Sequence, residues 1–350
     1  MRTIGFAGTA KNTGKTTTIQ AVIKQAHQSC FKIALTSIGV DPEYSNGQSP
    51  ARITLEIDDL IATASDCLKT GSAVLDIIET TPIETTLGLV VIARVTTAGT
   101  VYAAGVNREK DLKDLAVKFA TLGVDLLMVD GALNRMVPMI ACDGLVLSSG
   151  AAFDQDIHKI AEHAAALVHL FDPELSQLPQ HSDQKISLTF SDESVVQPNS
   201  GSLISSRTLD EITPLLVKPL VRIEIPGACH PMLLKMLLEK EALQKTPINL
   251  IFGNPLKLIA SGGLNQWVEF LQNQHLTIHY RRTLPVKMLT LNPFYLKPRP
   301  GTTNFQNAYV DKYFLLRSVR ILLPDFTVYD LMQLPQPDLM RLLDVNKPNP

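Results

Sequence analysis

The sequence has few cysteines, no long apolar run and almost no net charge. Its four cysteines are scattered among 350 residues without C-x-x-C spacing, which argues against a disulfide framework or a paired-cysteine zinc site. No run approaches the ~18 apolar residues of a membrane span. The formal net charge of −2 gives no general electrostatic reason to expect nucleic acid or an anionic membrane as a partner.

The N-terminus has no charged, then apolar, then small-residue leader, because a strand pattern follows Met1 directly. Together with the cysteine usage, this predicts a cytoplasmic protein. With 45% hydrophobic and 19% charged residues, the chain can bury a large core, and its length predicts two domains.

The most informative stretch is residues 1–18. An apolar run at 4–7 predicts a strand, residues 9–14 form a small, polar loop (the Gly-Lys loop), and helical spacing begins at Lys15. Gly14 lets the backbone approach a phosphate, Lys15 meets the outer phosphates, and the Thr16 hydroxyl can hold Mg²⁺. The common pattern places its first glycine at Thr9, whereas this chain has a glycine one residue earlier.

Acidic residues follow two later strand patterns. Residues 31–37 predict a second strand, which leads to Asp41, and residues 124–129 predict another, which leads to Asp130-Gly131. Because ligands of open α/β sheets lie beyond the carboxyl ends of the strands, both acids are placed to face a ligand, and Asp130 can hold Mg²⁺ directly or through water. Asp41 is equally suited to a turn before proline. The glycine after Asp130 leaves a backbone N–H free to face the outermost phosphate.

The segment Lys11-Asn-Thr-Gly-Lys-Thr16 resembles the loop of the P-loop class that includes dethiobiotin synthetase, MobB-type molybdopterin-nucleotide proteins and the MinD group. The resemblance implies a homodimer in some members, in which a signature lysine five residues before the loop lysine crosses the interface. Ala10 stands at that position here, so Lys11 is either a signature lysine displaced by one residue or a lysine that faces solvent or phosphate.

Together, the residue chemistry and this resemblance give a predicted site with ATP and Mg²⁺ as cofactors. The predicted nucleotide-binding residues are Lys11, Asn12, Thr13, Gly14, Lys15, Thr16, Thr17 and Gly131; the metal ligands are Thr16, Asp41 and Asp130; the catalytic residues are Lys15 and Asp130. Asn134 and Arg135 follow Asp130 and face either a substrate or partner, or solvent.

Three segments, residues 5–18, 34–41 and 129–132, are similar to a narrower family. This is the P-loop subunit of reactivating factors for lysine 5,6-aminomutase, an adenosylcobalamin enzyme. The resemblance implies a chaperone-like ATPase that works with a larger reactivase subunit and exchanges damaged cobalamin in the aminomutase.

The patterns predict an α/β fold: a P-loop domain with a mostly parallel sheet at residues 1–171, a linker at 172–184, and a second α/β domain with a proline-rich, extended tail at 185–350. Helices are predicted at 58–69, 109–121, from Asp154 to about Leu170, at 231–241 and at 264–272. The second half should contain strands at 186–190, 220–225, 248–252, 276–280 and 286–291.

Two other functions use the same residues. A dethiobiotin-synthetase-like ligase or small-molecule kinase would need a substrate pocket beside the loop, and a nucleotide-gated binding subunit would need little turnover. The Asn-Lys-x-Asp segment that reads guanine in related GTPases is absent, which favours ATP over GTP.

Overall fold

The computed structural model describes residues 1–40, 53–172, 174–239, 247–301, 304–332 and 337–346. The strands in these ranges are β1 (Arg2–Gly8), β2 (Ile33–Ser37), β3 (Ile53–Leu55), β4 (Leu60–Ala64), β5 (Val74–Thr85), β6 (Gly88–Thr97), β7 (Gly99–Val101), β8 (Leu126–Ala132), β9 (Gly144–Gly150), β10 (Ser187–Phe190), β11 (Val195–Val196), β12 (Leu220–Ile225), β13 (Ile248–Phe252), β14 (Leu276–Tyr280), β15 (Val286–Asn292), β16 (Phe294–Pro298), β17 (Phe305–Tyr309) and β18 (Val328–Tyr329). The α-helices are α1 (Lys15–Gln28), α2 (Glu109–Thr121), α3 (Ile157–His169), α4 (Ser206–Ile212), α5 (Pro231–Leu238), α6 (Pro255–Ala260), α7 (Leu264–Leu271), α8 (Lys312–Leu322) and α9 (Leu339–Leu342).

A nine-stranded sheet has the order β18-β15-β9-β1-β8-β2-β4-β6-β5. The strands from β18 to β4 are parallel, and the β5–β6 hairpin continues the sheet in antiparallel pairing. The predicted α/β class with a large, mostly parallel sheet is therefore confirmed. Two small antiparallel pairs, β3–β7 and β16–β17, lie beside it.

The central strands form because their apolar runs can be buried on both faces, as parallel sheets require. Every residue of β2 and β9 is buried. Helix α1 packs its apolar stripe, which includes Ile19, Val22 and Ile23, against these strands in one core cluster. This packing fixes the start of α1, and with it the Gly-Lys loop, at the edge of the sheet where β1 ends.

The chain divides into two units, one formed by residues 1–164 and 286–350 and the other by residues 165–285. The second unit contains a five-stranded sheet in the order β11-β10-β12-β13-β14. Helices α4, α5, α6 and α7 contribute to a single core cluster with apolar residues of this sheet, including the fully buried Trp267.

This division corrects the predicted domain boundaries. The predicted second domain of residues 185–350 included β15, but that strand pairs in parallel with β9 in the large sheet. The predicted linker, residues 172–184, lies within the second unit. The second unit is therefore an insertion between two parts of the first, because the chain returns to the first sheet at Val286.

One local prediction of secondary structure is also wrong. Residues 58–69 are not a helix: β4 occupies Leu60–Ala64, followed by a short 3-10 turn at Ser65–Cys67. The tail is expected to be extended or loosely ordered at residues 292–301 and 335–350. The first of these segments contains the extended strand β16, which pairs with β17, whereas the second contains α9, whose residues join the core cluster of α1. The side chain of Gln25 fixes this end, since its amide bonds the carbonyl of Pro337 and the N–H of Leu339, each at 2.8 Å.

Other elements agree with the sequence patterns. The helix at 109–121 is confirmed as α2, and the helix predicted after Asp154 is α3. The five strands predicted in the second half are β10, β12, β13, β14 and β15, and the two helices predicted there are α5 and α7. Among the described residues, no helix combines the length and apolar composition needed to cross a bilayer.

Candidate functional site

The Gly-Lys loop lies at the carboxyl ends of five neighbouring parallel strands. The strands β15, β9, β1, β8 and β2 lie side by side, with β1 in the middle. Residues that follow these strands therefore meet at one edge of the sheet, which is where open α/β sheets bind ligands. The register pairs Phe6 of β1 with Asp130 and Ala7 with Gly131, so the acidic strand end lies next to the strand that leads into the loop.

The loop contains two residues in the left-handed backbone conformation. Asn12 has a φ of 64°, and Gly14, at the N-cap of α1, has a φ of 93°. Glycine adopts this left-handed conformation without steric cost, and asparagine tolerates it better than most residues. No side chain among the described residues caps α1. The N–H groups of its first turn lack intrahelical acceptors, so they suit an anionic ligand.

Gly8 has a steric role that the motif alone does not predict. The Thr13 side chain is 1% exposed, and its hydroxyl donates to the carbonyl of Ala10 at 2.8 Å. A Cβ atom on residue 8 would lie 2.8 Å from that hydroxyl oxygen. The glycine found one residue before the usual position therefore leaves room for the buried threonine that closes the loop.

Lys15 and Asp130 form an ion pair at the mouth of the loop. The Lys15 Nζ lies 2.7 Å from Oδ1 of Asp130 and donates to the carbonyl of Gly131 at 3.0 Å. The two side chains are 23% and 20% exposed, and Oδ1 of Asp130 itself is buried. Three predicted site residues, distant in sequence, are thereby brought together.

The remaining predicted residues that the structure describes lie on the Gly-Lys loop and the first turn of α1. Thr16 lies in the first turn of α1 and is half-buried, whereas Lys11, Asn12 and Thr17 are exposed on the loop and helix start. Asp41, the second predicted metal ligand, lies outside the described residues.

The donor set suits Mg²⁺, which binds proteins through one or two oxygen ligands and keeps water and phosphate oxygens for the rest of its shell. The Thr16 hydroxyl and the partly exposed Asp130 carboxylate are ligands of that kind. Within the described ranges, no group of three or more His, Cys, Asp or Glu side chains is placed to hold a metal ion by itself. A metal at this edge would therefore depend on the nucleotide for part of its coordination.

Arg135 closes one side of the site. Its guanidinium donates to the carbonyl of Val40, which follows β2, and a Cβ atom on Gly39 would lie 3.4 Å from its Nη1 atom. From the sequence, the Arg135 side chain is expected to face either a substrate or partner, or solvent. In the structure it is half-buried and connects the segment after β8 with the segment after β2. Asn134 lies in the same short turn, Leu133–Arg135.

Sequence reasoning missed the contribution of β15. The side-chain amide of Asn292, the last residue of this strand, donates to the carbonyl of Asn12 at 2.9 Å. The only sequence signal is an apolar run that ends in a small polar residue before a proline, and this run lies in the part of the chain that the sequence predicts to be the second domain.

A buried hydroxyl cluster lies behind the loop, formed by Thr18, Ser148 and Thr290. The Thr290 hydroxyl lies 2.9 Å from that of Thr18 and 2.8 Å from that of Ser148, and the Thr18 hydroxyl also donates to the carbonyl of Gly14 at 3.1 Å. The cluster joins α1, β9 and β15, so the position of the loop depends on residues from both ends of the chain.

Comparison with known proteins gives little beyond this geometry. No protein-family model and no curated protein matches the chain. Among solved structures, the chain is similar to a crystal structure of the signal recognition particle receptor FtsY from Elizabethkingia anophelis, with 12% sequence identity and a TM-score of 0.26. The match covers 91% of this chain and 65% of that chain. Any functional argument for this protein therefore rests on the residues of its own site.

Proposed function

We propose that the chain is a Mg²⁺-dependent P-loop nucleoside triphosphatase that uses ATP. The observation that carries the proposal is Lys15: it opens an uncapped helix after a left-handed glycine, and its Nζ lies 2.7 Å from the Asp130 carboxylate near the end of the neighbouring strand. A phosphate-binding turn, a mobile cation and a metal-binding acid are the parts that phosphoryl transfer requires.

Each part has a defined task. The N–H groups at the start of α1 bind phosphate oxygens, and Lys15 exchanges its contacts with Asp130 and Gly131 for the outer phosphates. Thr16 and Asp130 would hold the metal, which when bound neutralises charge on the outer phosphates. Release of Asp130 from Lys15 is thus coupled to nucleotide entry, because the lysine cannot serve both partners fully.

The first test is nucleotide binding and hydrolysis with ATP and GTP, wild type beside Lys15→Ala. Loss of one charge-assisted contact costs about 1.5–3 kcal/mol, so affinity should fall about 10- to 100-fold. Lys24→Ala is the matched control, because Lys24 is an exposed lysine on the same helix and should bind like wild type. Equal affinity of Lys15→Ala and wild type, or no nucleotide binding by the wild type, contradicts the proposal.

A second variant tests the metal. Asp130→Asn keeps the shape of the side chain but removes its charge, so the Mg²⁺ concentration needed for half-maximal hydrolysis should rise. Nucleotide binding without Mg²⁺ should change less, since Lys15 is then released from its ion pair. An unchanged Mg²⁺ requirement would exclude Asp130 as the metal-binding acid.

The more specific role we propose is that of an ATPase subunit of a reactivating factor for an adenosylcobalamin-dependent aminomutase. Its support is the resemblance of residues 5–18, 34–41 and 129–132, which include the loop and the Asp130 strand end. With a larger reactivase subunit, ATP turnover would drive exchange of damaged cobalamin for intact cofactor.

The test is recovery of an inactivated aminomutase with this protein, its partner subunit, ATP and fresh cofactor. Recovery that requires Lys15 supports the role, and no recovery contradicts it. Rapid turnover that needs a small acid would instead indicate the ligase function. Binding without turnover would indicate a nucleotide-gated subunit.

A further inference from the structure

Asn292 connects the Gly-Lys loop to an exposed two-stranded ribbon. Its Nδ2 atom donates to the carbonyl of Asn12 at 2.9 Å, and its Oδ1 atom accepts from the N–H of Phe294 at 3.2 Å. Phe294 is the first residue of β16, so both ends of one amide are used, one on the loop and one on the ribbon.

The surrounding glycines fit this residue closely. A Cβ atom on Gly14 would lie 3.2 Å from Cβ of Asn292, and one on Gly150 would lie 2.0 Å from the Asn292 carbonyl oxygen. That carbonyl accepts from the N–H of Ala151 at 2.9 Å. The backbone of Asn292 is thus held against the end of β9. Because the backbone is fixed there, the side-chain amide is oriented toward the loop.

We propose that Asn292 is a positioning residue for the nucleotide site, an inference that rests on the proposed function. The loop binds phosphate through its N–H groups, and its carbonyl groups would repel the same oxygens. The bond from Asn292 holds the Asn12 carbonyl toward β15 and stabilises the left-handed conformation of Asn12, whose φ is 64°. Loss of the amide would let the loop leave its phosphate-binding shape.

The same amide makes the ribbon sensitive to the nucleotide. The ribbon, β16–β17, carries exposed aromatic side chains, including Phe305 at 59% and Tyr309 at 66% exposure. If nucleotide binding restricts the motion of the loop, it also restricts the Asn292 side chain. The hydrogen bond from the Phe294 N–H to that side chain, at the start of β16, then becomes more stable. The mobility of the ribbon should therefore differ between the nucleotide-free and the nucleotide-bound protein.

Asn292→Ala tests the positioning role, because it keeps Cβ against Gly14 and removes both amide contacts. The KM for MgATP should rise about 5- to 10-fold while kcat stays within about twofold, the result of losing one or two net hydrogen bonds that hold the bound state. Asn292→Asp should weaken binding more, about 10- to 100-fold, because it removes the donor and places a negative charge beside the phosphates.

Asn307→Ala is the matched control, since Asn307 is an exposed asparagine on β17, and it should leave KM unchanged. Hydrogen exchange tests the connection: MgATP should slow exchange in β16 (Phe294–Pro298) and β17 (Phe305–Tyr309) in the wild type but not in Asn292→Ala. If Asn292 has only a structural role, Asn292→Ala should lower the melting temperature, but MgATP should still slow exchange in the ribbon of the variant as it does in the wild type.

The outcomes separate the two proposals. If the wild type binds nucleotide through Lys15 and Asn292→Ala binds equally well, the positioning role is overturned and the proposed function stands. If ribbon exchange responds to MgATP in Asn292→Ala as in the wild type, the connection through Asn292 is overturned. If the wild type binds no nucleotide, both proposals fail.

Discussion

The buried hydroxyl cluster allows a quantitative test of how the two ends of the chain stabilise the site. Thr290→Val preserves the shape of the side chain and removes its hydroxyl group. That hydroxyl contacts those of Thr18 and Ser148 and also donates to the carbonyl of Leu147 at 3.3 Å. The three hydroxyl-bearing residues are at most 3% exposed, so water cannot replace the lost partner.

The size of the effect follows from what each neighbour retains. Thr18 keeps its bond to the Gly14 carbonyl, so it loses only a net hydrogen bond of about 0.5–1.5 kcal/mol. Ser148 keeps only a 3.5 Å contact with Thr18, and a stranded buried hydroxyl costs about 1–3 kcal/mol. Thr290→Val should therefore lower the free energy of unfolding of the first unit by about 1.5–4.5 kcal/mol, or its melting temperature by about 3–18 °C.

The assay must distinguish the two units. The single tryptophan, Trp267, lies in the second unit, so its fluorescence should show an unchanged transition, whereas hydrogen exchange in α1 and β15 should accelerate. Thr277→Val, an exposed threonine on β14, is the control and should change stability by less than about 0.5 kcal/mol. A Thr290→Val effect no larger than that of the control would refute the reasoning, as would additivity with Ser148→Ala, since contacting residues couple by about 0.5–3 kcal/mol.

Three further predictions concern other parts of the molecule. Burial lowers the pKa of His163 from 6.5 to about 4. The stability that depends on its neutral ring is present above pH 6.5 and is lost as the pH falls toward 4, so the free energy of unfolding of the wild type, measured by denaturation, should be about 2 kcal/mol lower at pH 5 than at pH 7.5. His163→Leu should largely remove this pH dependence. The Glu224 side chain is 1% exposed and pairs with Arg281 at 2.7 Å. Glu224→Gln should therefore lower the free energy of unfolding by about 3 kcal/mol, measured by tryptophan fluorescence during denaturation. An unchanged denaturation midpoint would contradict this prediction. Gly105→Ala should abolish soluble, folded protein, because the new Cβ would lie 1.9 Å from the carbonyl oxygen of Ser37; a wild-type melting temperature would show that the backbone there can move.

Local signals predicted the part of the site that is local in sequence. The strand, loop and helix at residues 2–28 appear where apolar spacing and Gly14 indicated them. Asp130 follows a buried run that pairs directly with β1. Each of these patterns involves residues within about ten positions of one another, so it can be recognised in a single sequence.

Other features could not be predicted because they depend on distant pairing. The spacing of Leu60, Ile61 and Ala64 fits a helix, but these residues belong to a strand buried on both faces, and such a strand shows no alternation. Strand β15 pairs with β9 across an insertion of more than one hundred residues. Nothing in a short window reveals such a partner, which is why the contact of Asn292 with the loop was missed.

The inserted second unit has a consequence for how the protein is made. During synthesis, residues 1–164 leave the ribosome long before Val286, so β9 waits as an edge strand with unpaired backbone groups until β15 is translated. A nascent or truncated chain already contains the Gly14-Lys15-Thr16 sequence, but it lacks Thr290 and Asn292, which hold the loop. The capacity to bind a ligand at this edge should therefore arise only after β15 has been translated and has paired with β9.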